Sequence, residues 1–352
     1  MEAAAYFLDR PGAPLARRTL TLPDPGERDV VVEVTACGLC HTDLGFADGS
    51  VAPRHALPLV LGHEIVGVVR AAGHGARDLL GAKVLVPAVL PCGVCELCTG
   101  GRANACTRQK MPGNDIHGGF ATHVLVPSSA LVSLDDAPPH LRVDSFSVVA
   151  DAVSTAYQAI RRSGLRRGDA VFVVGGGGVG GFVAQIARAL GGEVAVCDVD
   201  PARLQALASL GAPLTVDVRG REPRDVRRQL HAWANDHRAA SPRWRIFECS
   251  GTTAGQTLAY TLLGQAATMV VVGFTREPVS VRLSNLMAFD ATLHGSWGCP
   301  PEAYPAVLRL IYDGEVQIEP FIERAPLSRI NELLAALGRH ELGRRMVLDP
   351  NA

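Results

Sequence analysis

The chain has 352 residues, more than one hydrophobic core ordinarily supports, so two domains are expected. An apolar fraction of 47% with 20% charged residues is ordinary for a folded globular protein, and excludes a disordered or fibrous chain. A formal net charge of -1 gives no general electrostatic pull toward nucleic acid or anionic membranes, and no apolar run reaches bilayer-spanning length.

The chain opens MEAAAYFLDRPG, with no basic leader ahead of a long apolar stretch, so a cytoplasmic location is expected. Short β-branched runs, Val30 to Val34 and Val66 to Val69, broken by Gly and Pro, predict a mainly β first region. Cys92, Cys95, Cys98 and Cys106 follow as CxxCxxCxxxxxxxC in a loop containing Gly, Pro and Thr. Four thiolates so spaced can close a tetrahedral zinc shell with no vacancy for substrate, or hold an iron–sulfur cluster. Such a metal would staple a lobe lacking its own core. With Cys40, five of the nine cysteines sit in metal-type spacings, which fits a reducing compartment. Cys37, Cys197, Cys249 and Cys299 are read as packing or spare thiols.

Strands and helices alternate from about residue 150. Val171 to Val174 predict a buried parallel strand, followed by the glycine cluster Gly175 to Gly181. Val179, Phe182, Val183, Ile186 and Leu190 then recur at helical spacing, an apolar stripe that would pack back on the sheet. Gly175, Gly177 and Gly180 satisfy GxGxxG. The first allows the turn, the second lets a pyrophosphate approach, and the third lets the helix sit close on the strand. Gly178 and Val179 open that helix, whose unpaired N–H groups suit phosphates. Asp198, closing the next strand, would accept from an adenosine ribose and repel a 2'-phosphate, favouring NAD over NADP. Asp200 and Pro201 supply the cap and first residue of the following helix. LTV at 214, RIFEC at 245, TMVVV at 268 and TLHGS at 292 continue a doubly wound pattern. Between them, Arg219 to Arg245 is arginine-rich, but Val226, Leu230 and Trp233 share one helical face, so the charges are read as its wet side. The last fifty or so residues return to the first domain.

Dispersed among these elements are Cys40 in CGLCHTD, His63 and Glu64 in LGHE, and Asp151 in VVADAVSTAY. With the four-cysteine lobe, GGFATH at 118–123, the glycine turn and RRMVLDP, they resemble the zinc-dependent medium-chain alcohol dehydrogenase family over essentially the whole chain. The resemblance implies an α/β protein: a Rossmann doubly wound parallel sheet at 150–296, and a discontinuous, mainly β GroES-like catalytic domain at 1–149 and 297–352. The structural zinc lobe would span 91–107. It implies a catalytic zinc on Cys40, His63 and Asp151, where many relatives have Cys and some secondary alcohol dehydrogenases have Asp. Glu64 would be an exchangeable ligand, Asp43 would orient His63, and His41 and Arg345 would contact the cofactor pyrophosphate. Two zinc ions per chain, NAD, a proton path through Thr42 and a homodimer or homotetramer are likewise implied. The family's relay ends on a His where this chain has Gly45.

VPAVLPCGVCELC, QKMPGNDIHGGFATH, VVADAVSTAYQA, IFECSG and RLSNLMAFDATLHGSWGCPPEAYPA are further similar to the 6-hydroxycyclohex-1-ene-1-carbonyl-CoA dehydrogenases. That similarity implies oxidation of a ring secondary alcohol carried as a CoA thioester, in a pocket near Asn114, Met287 and Trp297. A general secondary alcohol dehydrogenase is the alternative, and a zinc-stapled NAD-binding protein without catalysis a third reading.

Overall fold

The computed structural model describes residues 1–236 and 243–352, and internal contacts divide the chain into two units. The first comprises Met1–Ser154, Gly298–Leu308 and Phe321–Ala352. It begins with β1 (Glu2–Leu8), β2 (Ala16–Thr21), β3 (Asp29–Gly38), α1 (His41–Asp48), β4 (Leu59–Val60), β5 (Glu64–Ala72), β6 (Lys83–Val86), α2 (Glu96–Thr99), β7 (His123–Pro127) and β8 (Val132–Ser133). The two β-branched runs fall in β3 and β5, which pair antiparallel with register shifts at Val31/Val32 and Val34/Ala36. Val30, Val31, Val32, Val34, Val66 and Val69 are all buried, so stiff branched side chains fill the pleated interior.

The second unit comprises Thr155–Trp297 and Arg309–Pro320. Here α3 (Ala152–Ser163), which starts in the first unit, leads into β9 (Ala170–Val174), α4 (Gly178–Ala189), β10 (Glu193–Asp198), α5 (Pro201–Ser209), β11 (Leu214–Asp217), α6 (Pro223–Asp236), β12 (Arg245–Glu248), α7 (Thr253–Thr261), β13 (Thr268–Val271), α8 (Ser284–Phe289) and β14 (Thr292–Gly295). The six strands are parallel in the order β11-β10-β9-β12-β13-β14. Strand order reverses beside β9, and the carboxyl ends of strands flanking such a switch point leave a crevice. Phe172 and Val174 pack with Leu230 and Trp233 of α6, so that helix buries the face expected of it. On α4, Phe182, Val183 and Ile186 are buried, but Leu190 lies past the helix end and is 41% exposed, so the expected stripe stops at Ile186.

The chain closes with α9 (Tyr304–Tyr312), β15 (Ile322–Pro326), α10 (Ile330–Gly338) and β16 (Arg345–Asp349). β16 pairs with β3 through Val347–Gly38 and Leu348–Cys37, returning the C-terminal segment to the first sheet. Residues 297–352 do not return as one block: Arg309–Pro320 group with the second unit, where Gln317 exchanges hydrogen bonds with the Gln185 side chain at 2.8 and 3.2 Å. Among the described residues, no helix is long and apolar enough to cross a membrane.

Candidate metal centres and dinucleotide turn

The first unit gathers Cys40, His63, Glu64 and Asp151, with ligand atoms all within 4.8 Å of one another. Cys40 is the N-cap of α1, and its backbone N–H donates to Asp43 Oδ2 at 3.0 Å. Asp43 Oδ1 accepts from Gly62 N–H at 3.1 Å and lies 3.2 Å from His63 Nδ1, so one buried carboxylate spans the two ligand-bearing loops. That ring contact is within ion-pair distance but is not aligned as a hydrogen bond. Asp151 follows a 3-10 stretch, Val143–Ala150. The carbonyl of Ala150 is held by the buried Tyr304 hydroxyl at 2.6 Å and by Ala88 N–H at 3.2 Å. Tyr304 is a support that sequence reading did not assign; PPEAYPA carries no signal for it.

The spacing suits a tetrahedral cation. Zinc bonds of ordinary length place S and O about 3.6 Å apart and N and O about 3.4 Å apart. Cys40 Sγ lies 3.6 Å from Asp151 Oδ2, and His63 Nε2 lies 3.7 Å from the same oxygen. His63 Nε2 and Glu64 Oε2 are buried with no hydrogen-bond partner, a costly arrangement that a cation would relieve. Burial disfavours the charged His63 ring, yet Asp43, Asp151 and Cys40 outweigh it and raise its pKa well above the usual value. Burial pushes the Glu64 carboxyl up to about 8 in spite of Arg345. Both directions describe an anionic buried cluster in want of positive charge.

Gly38 is required here, because a Cβ would stand 2.0 Å from Glu64 Oε2. Glu64 Oε1 pairs with Arg345, whose side chain is only 8% exposed. The guanidinium assigned by resemblance to a pyrophosphate is therefore aimed at the metal cluster. Thr42 Oγ1 lies 3.7 Å from Cys40 Sγ, and His41 is exposed at the first residue of α1. Gly45 faces Ser50, whose hydroxyl donates to its carbonyl at 3.1 Å.

The four lobe cysteines form the second cluster. A tetrahedral zinc–thiolate shell requires sulfurs about 3.8 Å apart. Cys95–Cys98, Cys95–Cys106 and Cys92–Cys98 measure 3.4, 3.7 and 4.0 Å. The Val94 amide lowers Cys92 to about 6, while burial pushes Cys98 up to about 12, and a cation would favour the thiolate form of both.

In the second unit, the three glycines of the turn do different things. Gly175 is left-handed, at φ +93°. A Cβ on Gly180 would meet Gly175 O at 1.8 Å, so α4 and β9 approach only through it. A Cβ on Gly177 would meet nothing nearer than Arg203 Nη1 at 3.5 Å, so the protein itself does not demand that glycine. Gly178 and Val179 begin α4 after Gly177 as N-cap. Asp198 closes β10, 5% exposed, but its oxygens accept from Gly176 N–H at 2.6 Å and Asp200 N–H at 2.8 Å. It fastens the turn as well as presenting charge. Asp200 caps α5 through Ala202 N–H at 2.9 Å. Arg219 and Arg228 pair with their neighbours Asp217 and Asp225, as expected of a wet face; residues 237–242 of that segment lie outside the described residues. Of the residues expected near substrate, Asn114 lies in the first unit, and Met287 and Trp297, 77% and 49% exposed, in the second.

Residues 26–136 match the Alcohol dehydrogenase GroES-like domain and residues 178–313 the Zinc-binding dehydrogenase family. The chain is 29% identical to the NAD-dependent alcohol dehydrogenase of Sulfolobus acidocaldarius, over 98% of each chain. It is 27% identical to the D-arabinose 1-dehydrogenase (NADP(+)) of Saccharolobus solfataricus, over 99% of this chain and 98% of that one. The structure of alcohol dehydrogenase TADH from Thermus sp. ATN1 is 28% identical with a TM-score of 0.86, covering 98% and 99%. The chain thus belongs to the zinc-binding medium-chain alcohol dehydrogenases, oxidoreductases acting on CH–OH groups.

Proposed function

We propose that the chain oxidises a secondary alcohol to the ketone with zinc and NAD, releasing one proton and passing two electrons to the cofactor as hydride. The observation carrying this reading is the convergence of Cys40, His63 and Asp151 at zinc-ligand spacings around an unpartnered His63 Nε2. When bound, zinc supplies Lewis-acid polarisation of the alcohol oxygen, and the nicotinamide takes the hydride. Cys40, His63 and Asp151 would hold the ion, with Glu64 as an exchangeable fourth carboxylate. Asp43 keeps His63 in the orientation that presents Nε2. Thr42 carries the alcohol proton away, and Gly45 offers no side chain to continue the path. The lobe cysteines hold a second, structural zinc.

Relatives of similar identity are named for either cofactor, so NAD rests on Asp198, whose buried carboxylate opposes a 2'-phosphate. Metal analysis together with turnover tests the site. Two zinc ions are expected per wild-type chain, one in Asp151→Asn, with activity on a secondary alcohol lost alongside the first. Full activity in that variant overturns the ligand assignment.

A finer substrate, the ring alcohol of a CoA thioester, is supported by the sequence stretches that resemble those dehydrogenases. Comparable kcat/KM on the thioester and on free cyclohexanol removes it in favour of a general secondary alcohol. A homodimer or homotetramer accords with the exposed apolar side chains of Phe274, Leu283, Met287 and Trp297 in the second unit.

A further inference from the structure

Asp151 stands where the chain passes from the 3-10 stretch Val143–Ala150 into α3, with φ −132° and ψ −67°. The torsion that turns an aspartate carboxylate is broad and roughly two-fold, so no rotamer well aims its oxygens. Their placement depends instead on how the main chain presents the side chain. Cys40 and His63 have such a support in Asp43, which accepts from Cys40 N–H and Gly62 N–H. Asp151 comes from a separate stretch of chain and needs another.

Two buried hydroxyls of the first unit meet its backbone. Tyr304 opens α9 and is 1% exposed; Ser154 lies in the first turn of α3 and is 0% exposed. The Tyr304 hydroxyl donates to Ala150 O at 2.6 Å, the shortest contact to that carbonyl, ahead of Ala88 N–H at 3.2 Å and Ser154 Oγ at 3.3 Å. With its one proton placed there, the tyrosine oxygen accepts from Ser154 Oγ at 3.2 Å. Bonds in such a chain polarise and strengthen one another in a dry interior. Ser154 Oγ also lies 3.1 Å from Asp151 O, so the carbonyls on both sides of the Asp151 Cα abut the pair. Packing alone would be served by a phenylalanine; the hydroxyl fixes the peptide that leads into the ligand.

We propose that Tyr304 is a positioning residue for the metal centre: through Ala150 O it aims the Asp151 carboxylate at Cys40 Sγ and His63 Nε2, with Ser154 orienting its hydroxyl. The inference rests on the zinc reading of that cluster. Zinc content followed as a chelator is added tests it without recourse to turnover. The step that Asp151→Asn lacks belongs to the first cluster. In Tyr304→Phe, which keeps the ring and loses only the hydroxyl, that step is expected at about tenfold lower chelator, while the step of the cysteine lobe stays where it is in wild type. Val307→Ala opens a cavity at a fully buried position one turn along the same helix but leaves the hydroxyl in place. Its first-cluster step is expected at the wild-type position. An unmoved step in Tyr304→Phe, or an equal displacement in Val307→Ala, overturns the proposal and leaves the zinc reading standing. A wild-type chain that holds zinc only in the cysteine lobe overturns the zinc reading, and the proposal with it.

Discussion

Arg245 Nε and Asp169 Oδ2 meet at 2.9 Å, with the two side chains only 8% and 2% exposed. The guanidinium also donates to Thr268 Oγ1 at 2.8 Å, and the same Asp169 oxygen accepts from Arg166 N–H at 3.0 Å. The pair thus joins the starts of β12 and β13 to the turn before β9, at the opposite end of the strands from the glycines. Removing one member of such a pair leaves the other buried and unpaired, at a cost of about 3–5 kcal/mol. Arg245→Ala is expected to lower the midpoint of chemical denaturation accordingly, while the fraction that remains folded binds NADH normally. An unaltered midpoint contradicts this.

The glycine turn offers a sharper separation of stability from binding. Gly180→Ala forces a Cβ against Gly175 O and is expected to destabilise the second unit. Gly177→Ala has no such contact, so its unfolding free energy should stay within about 1 kcal/mol of wild type. Its NADH affinity should nevertheless fall at least about tenfold, because the methyl occupies space needed by the pyrophosphate. Calorimetry on the two variants, followed by a fluorescence titration, checks both halves; unchanged affinity in Gly177→Ala removes the assignment of that glycine.

Acid stability provides a third test. Asp144 accepts from Arg142 and from Arg324 on β15 at distances between 2.6 and 3.3 Å. Burial alone would raise its pKa, but the two guanidinium groups win and hold it well below the usual carboxylate range. A carboxyl depressed in the folded state contributes stability above its unfolded pKa and loses it as the pH falls toward its folded value. Asp144→Asn is therefore expected to cost about 1 kcal/mol near pH 7. The gap to wild type should narrow below about pH 4. A gap that is constant from pH 7 to pH 3 would show that the pairing contributes no linked stability.

The local patterns of the sequence translated well. Val171 to Val174, the GxGxxG turn and the Asp200–Pro201 start each depend on neighbouring residues, and periodicity and capping chemistry report such neighbours directly. Leu190 departs from the pattern because the apolar spacing continues onto the C-cap of α4, where the side chain is exposed. The long-range contacts were not legible. Arg345 reaches Glu64 across 281 residues, and Tyr304 braces Ala150 across 154, and no composition rule encodes either meeting. Asp198 also accepts from the Gly176 and Asp200 amides, contacts that hydrophobic periodicity does not report.

Asp43 ties the backbone of Cys40 to that of Gly62 without help from any ion. Demetallation should therefore leave the catalytic pocket assembled, ready to refill by simple diffusion. The cysteine lobe, whose sulfurs crowd one another at 3.4 to 4.0 Å, should instead come apart under a chelator and need to be rebuilt around the metal proposed for it. If both clusters hold zinc as proposed, its loss from one would be reversible wear and from the other collapse.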